Sequence, residues 1–134
     1  MGLNIKLFFA SLIVLPIIDY FWLSNMLGFY LAQLGDLARK EQGVFQLYPA
    51  PVLVVYLVLA MGLVIFVLPQ SQTLVQALAY GGAFGLVIYR VYDMTNLATL
   101  HGYTWRLSLV DIAWGTVLNA VASTLVFLLR ERIA

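Results

Sequence analysis

Apolar positions fill this chain in four long stretches, separated by short polar segments. The stretches cover about residues 7–26, 50–68, 74–97 and 107–129. A bilayer core of about 30 Å takes roughly 20 apolar residues per helix, so each stretch predicts one membrane-spanning helix. The second is the plainest. It carries no charge, Tyr56 is its only polar side chain, and Pro69 closes it. Pro49 and Pro51 fit its first turn, where a missing N–H costs nothing. The third opens on Thr73-Leu-Val-Gln76, a capping-box pattern, and Gly102 offers a stop beyond it. Arg130, Glu131 and Arg132 follow the fourth as interface anchors.

The segment 29–42 has another period. Leu31, Leu34, Leu37 and Ala38 recur at helical spacing, while Gln33, Asp36, Arg39 and Lys40 fall mostly elsewhere on the wheel. That predicts a short amphipathic helix lying in the interface, with a solvated loop as the alternative. The fold class is therefore an all-α integral membrane protein. It is a four-transmembrane-helix bundle in a single domain, 1–134, with one interfacial helix between the first two spans.

The start, Met1-Gly-Leu-Asn-Ile-Lys6, places one positive charge before an apolar run, as a signal peptide does. No small-x-small cleavage site follows, and Asp19, Tyr20, Phe21 and Trp22 come instead, so it reads as an uncleaved span. Gly2 is not a myristoylation signal, because Lys6 stands where Ser or Thr is required.

Composition agrees with the pattern. Hydrophobic residues make up 63% of the 134 and charged residues 10%, with a mean hydropathy of +0.97. Soluble domains are nearer half apolar and a quarter charged. A net charge of +1 provides no electrostatic basis for a nucleic-acid partner. The absence of cysteine excludes disulfides and thiolate chemistry, and His101 alone cannot build an imidazole zinc site. The three Asp and His101 could in principle bind a divalent cation, but no spacing is specific for one. There is no P-loop or glycine-rich dinucleotide turn either, so no metal and no cofactor is expected. Lys and Arg nearly balance between the two sides, and Lys6 tips the N-terminus only slightly toward the cytoplasm.

Topology then sorts the polar residues. Asp19 lies late in the first span, Arg90 and Asp93 late in the third, and Asp111 early in the fourth, so all four share one half of the bilayer. Trp22, Tyr89, Tyr92, Asn96, His101, Trp105 and Trp114 fall in the same zone, and the opposite half is almost wholly apolar. Intramembrane Asp or Arg costs about 2.5–3.5 kcal/mol at a helix centre and usually faces the bundle interior in pairs. Arg90 and Asp93, three apart, can pair along the third span, and Asn96 continues their stripe. Three carboxylates and one guanidinium cannot neutralise one another, so a proton or a cation must balance the remainder.

Each residue also has a plainer role. Ser108-Leu-Val-Asp111 is a capping-box pattern, so Asp111 can serve as a cap. Arg90 can snorkel to headgroups, and the tryptophans can be interfacial anchors. Gly81 and Gly85 form a GxxxG, and Gly115 and Asn119 follow Asp111 at helical spacing, a small-residue seam suited to helix packing. Asp19-Tyr-Phe-Trp22 and Asp111-Ile-Ala-Trp114 share a D-x-x-W pattern on oppositely directed spans, although four residues are thin evidence for an inverted repeat.

The string Tyr92-Asp-Met-Thr-Asn-Leu-Ala-Thr-Leu-His-Gly102, with Asp111-x-x-Trp114-Gly115-Thr116 and Leu15-Pro-Ile-Ile-Asp19, resembles small bacterial membrane proteins grouped as domain-of-unknown-function family 2177. The resemblance covers nearly the whole chain and implies a four-span inner-membrane protein. It brings no activity with it.

The leading functional expectation is a one-leaflet site for a lipid headgroup or small polar ligand, built from Asp19, Trp22, Arg90, Asp93, Asn96, Asp111 and Trp114. Membrane lipids are then the expected partners, with a homo-oligomer or larger complex as a further possibility. The alternatives are an accessory subunit of a membrane complex, a small proton-coupled transporter and an intramembrane lipid-modifying enzyme. Asp19 invites comparison with four-span exporters that carry an acid in their first span, an analogy of fold alone. Asp93 or Asp111 could serve the enzyme as general base with His101 as helper, but no nucleophile, metal or cofactor motif accompanies them.

Overall fold

A computed structural model of the protein describes residues 4–133, so the reading of Gly2 lies outside the described residues. The chain forms α1 (Ile5–Leu34), a hairpin of β1 (Lys40–Glu41) and β2 (Val44–Phe45), α2 (Pro49–Gly62) with an irregular continuation to Gln70, α3 (Leu74–Thr99) and α4 (Trp105–Ile133). Among the described residues four helices are long and apolar enough to cross a membrane. The protein is a multi-pass helical membrane protein.

The segment 29–42 departs from the expected interfacial helix. Its first half continues α1, which at 30 residues extends about 45 Å, well beyond the bilayer core. Gly35 stops it at φ +54°, its N–H returning to the Leu31 carbonyl. Gln42 and Gly43 then both take positive φ, 53° and 79°, the geometry of a tight hairpin turn. Lys40 pairs with Phe45 and Glu41 with Val44. The leucine spacing was real, but these backbone breaks override it.

The second span also differs from a plain helix. Leu63–Val67 is a π turn, in which the Leu68 N–H reaches back to the Leu63 carbonyl, and Leu68–Gln70 tightens into a 3₁₀ turn. Pro69 cannot donate to the ladder and its ring crowds the preceding turn, so the wider turn leads the chain into it. Arg130 closes this end from α4, donating to the carbonyls of Leu68 and Ser71 at 3.2 Å each.

At α3 the Thr73 hydroxyl accepts from the Gln76 N–H, and Gln76 Oε1 accepts from the Gln72 N–H, one residue before the usual capping-box partner. At α4 the cap is Thr104, whose hydroxyl accepts from the Leu107 N–H at 3.0 Å. The Ser108–Asp111 capping alternative therefore falls. Ser108 donates to the Thr104 carbonyl, and Asp111 stands two turns inside the helix.

Leu15, Leu59, Leu63, Leu118 and Ala122 form the main core between α1, α2 and α4. Outward positions such as Ile13, Ile17, Val58, Val87 and Val117 are apolar and exposed, as a lipid-facing surface requires. Lipid tails are as apolar as leucine, so close packing and hydrogen bonds hold such helices together. α3 and α4 form the tightest pair. A Cβ at Gly85 would strike the Gly115 carbonyl oxygen, one at Gly81 would strike Ser123 Oγ, and the Tyr89 ring fills the space where a Gly115 side chain would stand.

Candidate functional site

Three buried or half-buried carboxyl groups organise one half of the bundle. Asp19, 8% exposed on α1, accepts from Tyr56 Oη of α2 at 2.6 Å and from Trp114 Nε1 of α4 at 2.8 Å. It thereby joins three helices at one point. Asp111 on α4 accepts from Tyr30 Oη at 2.8 Å, and Tyr30 in turn accepts from Trp22 Nε1 at 3.0 Å. Both donors come from α1, and Tyr30 reaches Asp111 only because α1 runs eight residues past the span end expected at residue 26. The Trp22 and Trp114 rings stack at 4.5 Å with planes 3° apart, so they link the two carboxyl groups.

Asp93 on α3 is wholly buried. Its Oδ1 accepts from Tyr103 Oη at 2.5 Å, while Oδ2 has no hydrogen-bond partner. Tyr103 lies in the turn between α3 and α4. Burial, and after it the hydrogen bond to Asp93, holds its phenol well above the usual tyrosine range, so it remains a donor. The Asp93 and Asp111 carboxyls lie within hydrogen-bonding reach of each other. A proton carried by either one would supply the donor that Oδ2 lacks. The same end is tied down by Thr104, which donates to Gln33 Oε1 of α1 at 2.7 Å.

Arg90 does not join this cluster. It is exposed on the outer face of α3, and the pairing with Asp93 that three-residue spacing allows is not made. Asp93 turns toward α4 and Tyr103, whereas Arg90 stands on the exposed side of α3. Asn96 is half-buried, with its side chain beside the Tyr103 hydroxyl, and His101 is exposed in the turn. Gly81, Gly85, Gly115 and Asn119 lie deeper in the α3–α4 seam, where Asn119 Nδ2 donates to the Gly115 carbonyl at 2.8 Å. Among the described residues no group of His, Cys, Asp and Glu is arranged to hold a metal.

The donors that sequence reasoning missed are tyrosines. Tyr30, Tyr56 and Tyr103 each serve one carboxyl group. The available signal was electrostatic: three intramembrane acids with a single nearby arginine need neutral donors, and phenols are the ones at hand. Tyr56→Phe and Trp114→Phe are each expected to lower stability by about 1 kcal/mol. The double variant should cost more than their sum, because either donor alone still solvates Asp19. Circular-dichroism melts in dodecyl maltoside measure both quantities.

Beside the cluster, between α2, α3 and α4, lies a cavity of about 330 Å³. Val55, Leu59, Ile88, Tyr89, Tyr92 and Asp111 line it. Val55 and Tyr92 are exposed at 50% and 59%, so it opens sideways on the outer surface of the bundle.

A family model described as "Predicted membrane protein (DUF2177)" matches residues 4–128. No curated protein and no solved structure matches the chain.

Proposed function

This chain belongs to the family of predicted membrane proteins DUF2177, and we propose that it binds the polar head of a membrane-resident amphiphile from one leaflet. The carrying observation is the sideways-open cavity with Asp111 as its one charged lining residue. Its volume is at the low end for small-molecule sites, enough for a headgroup and the first part of a chain. Its mouth is apolar, so the tail stays in the bilayer while the head reaches Asp111. In this reading Arg90, exposed on α3, contributes to bilayer anchoring and not to the site. The setting that goes with this reading is the bacterial inner membrane.

Mass spectrometry of the gently solubilised full chain tests it. Wild-type protein is expected to retain an amphiphile that Ile88→Phe and Val55→Phe, which fill the cavity, release. Ile65→Phe, on the lipid face of the opposite half, should leave retention unchanged. Equal retention by all four proteins would overturn the reading.

A further inference from the structure

Resting on that reading, we infer that the head taken by the cavity is an ammonium, either a primary amine or a quaternary group. Asp111, Tyr89 and Tyr92 all line the cavity, so one carboxylate residue and two aromatic residues share its wall. A carboxylate set among aromatic rings is the arrangement that recognises ammonium, by charge and by the ring quadrupole. Val55, Leu59 and Ile88 complete the wall with apolar surface that suits an alkyl chain.

The surroundings exclude the opposite charge. Asp19, Asp93 and Asp111 receive their hydrogen bonds from Tyr56, Trp114, Tyr103 and Tyr30, all neutral donors. Arg90 faces outward, so no cation among the described residues balances the three. The neighbouring Asp93 carboxyl keeps its buried Oδ2 unpartnered. An anionic head entering here would meet carboxylate with no counter-charge. An ammonium entering the same space supplies the positive charge and, if it is a primary amine, N–H donors as well.

The experiment uses the full chain in dodecyl maltoside and radiolabelled dodecyltrimethylammonium as probe. Saturable binding is expected, weakened about tenfold or more by Asp111→Asn, a loss corresponding to about 1.4 kcal/mol, and abolished by Ile88→Phe. Dodecyl sulfate and dodecanol should compete poorly. Competition by lysophosphatidylethanolamine assigns the head to a resident amine lipid. Its failure to compete assigns the site to amphiphilic cations of other origin, and either result keeps the ammonium. If dodecanol or dodecyl sulfate competes as well as the cation, and Asp111→Asn has no effect, the charge preference is overturned while the cavity stands. If no saturable binding responds to Ile88→Phe, the site itself fails.

Discussion

Gly85→Ala is expected to destabilise the bundle by about 3 kcal/mol, the upper part of the range for forcing atoms into a filled interior. The new methyl group would meet the Gly115 carbonyl oxygen, a backbone atom that cannot swing aside, and both Cβ and Nδ2 of Asn119 at 2.9 Å. Asn119 cannot move away cheaply either, because its Nδ2 holds that same carbonyl. The neighbouring Gly82 provides the contrast. A Cβ there would sit 3.6 Å from the Ala120 methyl and 3.7 Å from Thr116 Cγ2, ordinary contact distances. Gly82→Ala should therefore be neutral or stabilising, helped by a helix propensity gain of up to about 1 kcal/mol. Unfolding of both variants in mixed dodecyl maltoside and dodecyl sulfate micelles reads the difference. Equal stability of the two would show that α3 and α4 do not pack through this glycine.

Asp93→Asn should stabilise the protein by about 1 kcal/mol, whereas Asp93→Leu should cost about 2 kcal/mol. The amide keeps an acceptor for the Tyr103 hydroxyl where Oδ1 stands and replaces the unpartnered Oδ2 with an N–H donor in a site whose neighbouring carboxyl is Asp111. It mends the one carboxyl oxygen in the cluster that is buried without a partner. Leucine does the reverse, removing the carboxyl that accepts from the half-buried Tyr103 hydroxyl. The same unfolding assay measures both. A loss in Asp93→Asn as large as in Asp93→Leu would mean that Asp111 is not the neighbour of Oδ2.

Much of this was legible because a bilayer leaves few choices. Spans follow from apolar length, and span direction alone puts Asp19, Asp93 and Asp111 at matching depth. Rotation about each helix axis was not legible. Arg90 and Asp93 are a helical turn apart, and only the packing of α3 on α4 decides which of them turns inward. The tyrosine donors at the span ends were hidden for a related reason: Tyr30 reaches Asp111 only if α1 outruns the bilayer, and an apolar count stops at its edge. Positive φ at Gln42 was equally hard to foresee, since glutamine is not a customary turn residue there. The two D-x-x-W strings do meet across the bundle. Trp114 serves Asp19 directly, Trp22 serves Asp111 through Tyr30, and the two rings stack between them. That exchange makes the repeated pattern a physical link between α1 and α4, whatever its origin.

The most direct test of a sideways-open ammonium site is to label it from within the membrane. A dodecylammonium probe with a diazirine next to its head, photolysed with the full chain in bilayer nanodiscs, is expected to mark the Tyr89–Tyr92 stretch of α3. The labelling should saturate, be competed by unlabelled dodecyltrimethylammonium and disappear in Asp111→Asn. Labelling that rises linearly with probe, spreads evenly over the exposed faces of all four helices and is indifferent to Asp111→Asn would contradict the account.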